Sequence, residues 1–237
     1  MNSPAAPASR TAPATAVAPA SPAGLAVSDL DGTISRRGTL APYVIRLLAR
    51  HPWRWLRVLA VAPALAGYLR GRLDRGALKA KLLEKTLHGY GRAELAAWTA
   101  RFVPSLTARG LRADALRTIE AHRRRGDRLI LLSASPDLYV PAIGAQLGFD
   151  ETLCTGLTWR GDSLDGGLAT PNRRGEEKAR CVLELKRRHP GLPLAAYGND
   201  AADLDHLAIA DEPLLVCGSR SARRRAERAG IPTARWR

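Results

Sequence analysis

Two carboxylates, Asp29 and Asp31, stand one residue apart in Asp29-Leu30-Asp31-Gly32-Thr33, directly after the apolar run Leu25-Ala26-Val27-Ser28. Side chains at i and i+2 of an extended segment point the same way, so both carboxylates reach one pocket while Leu30 turns aside. Such a pair can divide the labour of phosphomonoester hydrolysis, where the nucleophile must be held in line and the charge on the phosphoryl oxygens neutralised. Asp29 is then the nucleophile. Asp31 protonates the leaving oxygen and later deprotonates the attacking water. Gly32 frees the loop to bring backbone N–H groups close to a phosphate. An acidic turn after a strand commonly just faces solvent, so the reading depends on what else the chain delivers to the same place.

Ser133 follows the apolar run Leu129 to Leu132 and offers a hydroxyl to a phosphoryl oxygen. Alone, it would read as a helix cap or a turn serine. Lys178, just inside a helix opened by Gly175-Glu176-Glu177, offers a permanent positive charge to the aspartate and the phosphoryl oxygens; alone, it would be one surface lysine among many. Magnesium needs hard oxygen ligands and keeps some of its waters. Gly198-Asn199-Asp200-Ala201-Ala202-Asp203 supplies such oxygens in two registers, Asn199 with Asp203 or Asp200 with Asp205. The first is preferred, because the turn after Tyr197-Gly198 exposes Asn199 at once and Asp203 opens the helix that begins at Leu204.

These residues need strands to deliver them. Four short apolar runs, Leu25 to Ser28, Leu129 to Leu132, Leu194 to Tyr197 and Leu214 to Cys217, each end in polar residues. Helical patterns lie between them at Ala115 to Arg125, Tyr139 to Leu147 and Glu176 to Arg188. Strands alternating with helices predict an α/β fold, a Rossmann-like, doubly wound parallel sheet whose ligands sit outside the strand carboxyl ends. Thr158 to Ser163 reads as a hairpin turn. From Arg36 to Gly110 the spacing is helical without intervening strands, which predicts a small helical cap inserted after the first strand. Its most apolar stretch, Val58 to Leu69, falls short of the roughly 20 residues a membrane span requires. That stretch either packs against the other cap helices or lies on a membrane surface.

In order and local setting, Asp29 to Thr33, Ser133, Gly175 to Lys178 and Gly198 to Asp203 resemble the four motifs of the haloacid dehalogenase superfamily, a likeness that covers nearly everything after Gly24. The helical insertion resembles the small cap of the phosphoserine-phosphatase-like branch. The resemblance implies a Rossmann-like core, Mg2+ as cofactor and a covalent aspartyl-phosphate. It makes Asp29, Asp31, Ser133 and Lys178 the catalytic set and Asp29, Asp31, Asn199 and Asp203 the metal set. Asn199 departs from the pattern, since that position is commonly Asp; an amide oxygen still ligates magnesium but brings no charge. Leu47 to Pro52, the Val58 to Leu69 run and Gly71-Arg72 resemble bacterial dehalogenase-type phosphatidylglycerophosphatase, which acts on a lipid phosphate, over the cap alone. Ser35-Arg36-Arg37 stands where a phosphoserine phosphatase carries an acidic cap residue to hold the substrate amine, which argues against an amino-acid substrate.

Composition sets the limits. The 237 residues, 46% hydrophobic and 25% charged, suffice for one core with a modest insertion. Met1 to Gly24, nearly all Ala, Pro, Ser and Thr, predicts a disordered tail, and its prolines interrupt any apolar core of a secretory signal. Residues 25–35 and 111–237 then form the catalytic core, and 36–110 the cap. Cys154, Cys181 and Cys217 show neither disulfide nor zinc spacing, as expected of a cytoplasmic protein. A net charge of +15 favours anions: a phosphate-ester substrate and, at the inner face of a membrane, peripheral contact with anionic lipid. It also matches an arginine-rich base composition. Three alternatives stay open: a phosphatase of a small soluble ester, a phosphotransferase using the same intermediate, and a non-catalytic anion- or membrane-binding module. Arg123 to Arg125 and Arg223 to Arg225 would be the phosphate contacts of such a module. No aromatic interleaving accompanies them, so nucleic acid is not an expected partner.

Overall fold

The computed structural model describes residues 22–237, and the expected tail lies almost wholly outside them. Its last residues are already part of the core edge: Ala23 N donates to Gly126 O (3.0 Å) and Gly24 O accepts from Arg128 N (2.8 Å). Six strands, β1 (Leu25–Ser28), β2 (Arg128–Pro136), β3 (Glu151–Thr155), β6 (Leu194–Gly198), β7 (Glu212–Val216) and β8 (Thr233–Ala234), form one sheet in the order β3-β2-β1-β6-β7-β8. Every pairing is parallel. From β1 the chain first builds outward through β2 and β3, then returns to place β6, β7 and β8 on the other side. The strand order therefore reverses between β1 and β6, the point where α/β sheets open a crevice for ligands.

The pleat assigns side chains to the two faces. Ala26, Leu129 and Leu131 pack on one side, with α6 (Ala113–Arg125) and α7 (Val140–Gln146); Leu25, Val27, Ile130 and Leu132 pack on the other, with α8 (Glu176–Arg188), α9 (Leu204–Leu207) and α10 (Arg220–Arg228). The sheet is thus covered on both faces, as a doubly wound fold requires. β3 and β8 were not foreseen. β3 is a half-buried edge strand with Glu151 and two threonines in five residues, and β8 has only two residues, so neither carries an apolar run. β2 also runs further than its apolar residues. Ser133 to Pro136, read as a loop, stay in the strand through an irregularity that brings Pro136 opposite Thr155.

Between β1 and α6 the chain is helical: α1 (Leu40–Leu48), α2 (Leu56–Leu59), α3 (Ala62–Leu69), α4 (Arg75–Leu87) and α5 (Arg92–Arg109). The insertion leaves and returns at one place, where Ser35 bridges Leu111 and Arg36 N donates to Gly110 O (2.8 Å). A hairpin, β4 (Leu157–Arg160) and β5 (Ser163–Leu168), turns at Gly161-Asp162, within the expected turn, and packs on the insertion. The insertion's core joins that of the sheet through Tyr43, Leu47, Leu83, Phe102 and Tyr139. Helices α2 and α3 are different: neither contains a buried residue, and Leu56, Leu59 and Leu69 are 70–75% exposed. Val58 packs against the shared core and Val61, just before α3, is buried, so those two point inward. Among the described residues no helix is long and apolar enough to cross a membrane.

Candidate active site

β1 delivers Asp29 at its carboxyl end, where Asp29 N donates to Tyr197 O of the neighbouring β6 (3.0 Å). The chain then turns through Leu30–Ile34, closed by Ser35 N donating to Leu30 O (2.9 Å). Gly32 has φ +86, and a Cβ there would lie 2.1 Å from the Asn199 amide, so glycine is required twice over, by backbone and by space. This close approach seats the β6 loop against the β1 loop.

Asp29, Asp31, Lys178, Asn199 and Asp203 all line one cavity of about 400 Å³, together with Gly32, Arg36, Arg37, Gly38, Ala134, Arg174 and Asp200. Lys178 is buried and reaches up from α8 between two buried carboxylates, 2.6 Å from Asp29 Oδ1 and 2.7 Å from Asp203 Oδ1. The other oxygen of Asp29 accepts from the Thr33 hydroxyl (3.0 Å), and the other oxygen of Asp203 accepts from the amides of Asn199 and Asp200 (2.9 Å each). Two carboxylates thus share one ammonium. Burial pushes the Asp29 carboxyl up, Lys178 pulls it down, and Asp203 and Asp31 raise it again; the net shift is upward. Burial also opposes the charge of Asp203, but Lys178 and His206 outweigh it and hold that carboxyl well below the usual range. Lys178 stays above its ordinary value, because the two carboxylates exceed its own desolvation.

Asp31 is held apart from that triad. Its Oδ1 accepts from Thr39 N (2.5 Å) and Thr39 Oγ1 (2.7 Å), and its Oδ2 from Ser135 Oγ (2.5 Å). The two carboxylates predicted to share a pocket do so, one gripped by an ammonium and the other by hydroxyl and amide donors. Ser133 is placed differently from its expected role. It is fully buried, its Oγ accepts from Ser135 N (3.1 Å), and the cavity wall at that level is Ala134. The hydroxyl that reaches the Asp31 carboxylate from β2 is that of Ser135. Spacing alone could have pointed to it, since Ser133 and Ser135 share a face of an extended strand. Thr39 had no such signal: it lies eight residues beyond Asp31 and is brought back only by the turn at Ser35.

Hard oxygens converge at the mouth of the triad. The Thr33 hydroxyl is within reach of both Asp29 Oδ2 and Asn199 Oδ1 (3.4 Å), so these two oxygens face one small volume. Asp200 also lines the cavity and pairs with Arg174 (2.8 Å); Asp205 is exposed and is not among the lining residues, so only the first of the two registers has both members at the site. Among the described residues no three carboxylate, imidazole or thiolate side chains gather as a cage. Such a donor set fits a magnesium ion, which takes one or two carboxylates and completes its shell with water, and the unbalanced negative charge of the Asp29–Lys178–Asp203 triad favours a divalent cation. Asp203, with both oxygens engaged, holds Lys178 and the β6 loop.

The family model of the haloacid dehalogenase-like hydrolases matches residues 26–208. The protein CicA of Caulobacter vibrioides is 35% identical over 196 residues, 79% of this chain and 83% of that protein. A protein of unknown function from Bordetella pertussis Tohama I superposes with a TM-score of 0.73 at 22% identity, covering 89% of this chain and 97% of its own. A phosphoserine phosphatase solved as a phospho-aspartyl intermediate analogue superposes with a TM-score of 0.64 at 16% identity, covering 90% and 93%.

Proposed function

Because the chain belongs to the haloacid dehalogenase-like hydrolases, we propose that it is a magnesium-dependent phosphomonoesterase working through an aspartyl-phosphate on Asp29. The observation that carries this reading is the division of labour around one cavity: Asp29 fixed by Lys178 and Thr33, Asp31 fixed separately by Thr39 and Ser135. Lys178 and Thr33 orient Asp29 so that a carboxylate oxygen meets the phosphorus in line with the leaving oxygen. Asp31, aimed by its three donors, gives the leaving oxygen its proton and then takes one from the water that cleaves the acyl-phosphate. Mg2+, held by the Asp29 carboxylate and the Asn199 amide oxygen with water completing its shell, would neutralise charge on the phosphoryl oxygens; Asp31, like Asp203, has both carboxylate oxygens engaged. Lys178 supports the same charge from behind, and Ser133 is given no contact with the phosphoryl group in this geometry.

The substrate is read from two surfaces. The cavity is lined by charged and polar residues with small Gly and Ala, so it takes a head group and no acyl chain. The insertion presents Trp53 (68% exposed), Trp55, Leu56, Leu59, Leu65 and Leu69 to solvent, and along the same stretch of chain Arg57, Arg70 and Arg72 are exposed. Exposed apolar side chains interspersed with arginines along one stretch of chain suit the interface of an anionic bilayer, the apolar side chains entering the acyl boundary and the cations meeting head groups. A lipid phosphate would then offer its monoester to the cavity without leaving the membrane. The polar lining alone also suits a soluble ester. The binding-module reading loses its first arginine cluster, since Arg123 and Arg124 pair with Glu120, and Arg125 with Asp127.

The wild type should hydrolyse p-nitrophenyl phosphate only with Mg2+ present, sediment with anionic liposomes at low salt, and release phosphate faster from phosphatidate in mixed micelles than from phosphoserine. Leu56→Asp/Leu59→Asp should weaken liposome binding and lipid turnover at least about tenfold, given the transfer energy of two leucines, and leave p-nitrophenyl phosphate turnover unchanged. Equal loss on all substrates, or phosphoserine turnover matching that of the lipid, would return the assignment to a soluble ester.

A further inference from the structure

Lys79 lies on α4 of the insertion, half-buried, and among the described residues it pairs with no carboxylate. Its ammonium instead reaches neutral oxygens on three separate segments of the core. It donates to the Ala134 carbonyl in β2 (2.5 Å), to Thr155 Oγ1 at the end of β3 (3.3 Å) and to the Asn172 side-chain oxygen in the loop ahead of α8. A lysine on an inserted helix ordinarily snorkels to water. Here burial draws its pKa down to about 8, with Asp31 the strongest of the charges that favour the ammonium and Arg174 opposing it. A desolvated cation held this way is retained at a cost, so its location is informative.

Both ends of the peptide that Lys79 grips lead into the site. Ala134 lines the reactive cavity. Ser135, on the other side of that peptide bond, has its N–H tied to Ser133 Oγ and gives its hydroxyl to Asp31 Oδ2 (2.5 Å). We propose that Lys79 is a positioning residue: by fixing the Ala134–Ser135 peptide it aims the Ser135 hydroxyl, and through it Asp31, so that proton transfer to the leaving group depends on the insertion being seated on the core. This rests on the reading of Asp31 as the acid. α4 does not depend on Lys79 alone for its place. Gly89 N donates to Leu164 O (2.9 Å), and at Gly166 (φ +91) a Cβ would lie 2.7 Å from the Glu84 Cα, so the hairpin backbone lies directly on the helix. Thr155 Oγ1 also donates to the Ala134 carbonyl (2.8 Å), so that oxygen keeps a partner when the lysine is removed.

The test is a leaving-group series, from p-nitrophenyl phosphate to an alkyl phosphate such as glycerol 3-phosphate, on wild type, Lys79→Met and Asp31→Asn. Acid catalysis matters most for poor leaving groups. Lys79→Met should therefore lower kcat about tenfold or more on the alkyl ester and less than about threefold on p-nitrophenyl phosphate, with KM changed less than about twofold. Asp31→Asn should show the same slope more steeply. Thr155→Val removes the other hydrogen bond on the same carbonyl while leaving the charge; it should tilt the series the same way, and it decides the matter if Lys79→Met does not fold. A uniform loss across the series for both variants, or an effect confined to KM, while Asp31→Asn retains its slope, would overturn the role of Lys79. A flat series for Asp31→Asn would overturn the acid assignment itself, and the inference with it.

Discussion

Asp29→Asn should abolish phosphatase activity, with turnover of p-nitrophenyl phosphate below about one-thousandth of wild type, and should do so without loss of fold. The amide is nearly the same shape but cannot attack phosphorus to form an acyl-phosphate. Its structural consequences are mild because of how Asp29 is held. Burial and the neighbouring Asp203 and Asp31 disfavour the Asp29 charge, and Lys178 keeps Asp203 as a partner when that charge is gone. The Thr33 hydroxyl can still donate to the amide oxygen. The melting temperature should consequently match or exceed that of wild type. Kinetics and thermal melts on the same preparation test both halves. Residual activity above about 5% of wild type would exclude Asp29 as the nucleophile whatever the melt shows.

The core was legible because its strands are buried on both faces. Leu25 to Ser28 and Leu194 to Gly198 are short, nearly continuous apolar runs that stop at polar residues, and the loops carrying Asp29 and Asn199 begin where they stop. Each motif member followed from its neighbour in sequence: Asp31 from Asp29, Lys178 from the helix start, Asn199 and Asp203 from the loop after β6. What escaped the sequence reading comes from elsewhere in the chain. Thr39 meets the site only through the turn at Ser35, and Lys79 only because the insertion is seated on β2, so nothing at their own positions marks an isolated threonine or lysine as anything but ordinary surface; Ser135 arrives with β2 beside β1, and its spacing from Ser133 was the one signal for it. The apolar stretch at Val58 to Leu69 was ambiguous for a related reason, since helical spacing shows which residues share a face and not whether that face is covered. The structure divides the stretch, with Val58 and Val61 inward and Leu59, Leu65 and Leu69 exposed.

Lys178→Met should be the most destabilising single change at the site. The ammonium is the cation shared by the buried Asp29 and Asp203, and removing it leaves two carboxylates facing each other with little water to solvate them. Breaking a buried pair of this kind costs about 3–5 kcal/mol, enough to lower the melting temperature of a chain this size by roughly ten degrees. The contribution of Asp203 to the pH dependence should also change sign, while that of Asp29, already raised in the wild type, keeps its sign. In the wild type Asp203 is held below its ordinary pKa, so its contribution is present at neutral pH and is lost as the pH falls through that depressed value. Without the lysine, both carboxyls should titrate above the unfolded value, so the variant should be most stable in mild acid and lose stability as the pH rises. Adding Asp29→Asn removes one of the two stranded charges, so the double variant should recover at least about 1 kcal/mol relative to Lys178→Met alone, a non-additivity expected only of residues in direct contact. Urea unfolding of wild type, both single variants and the double variant at two or three pH values measures all of this. Strict additivity, together with a Lys178→Met variant whose stability does not fall with rising pH, would mean that the ammonium does not bridge Asp29 and Asp203 in the folded protein.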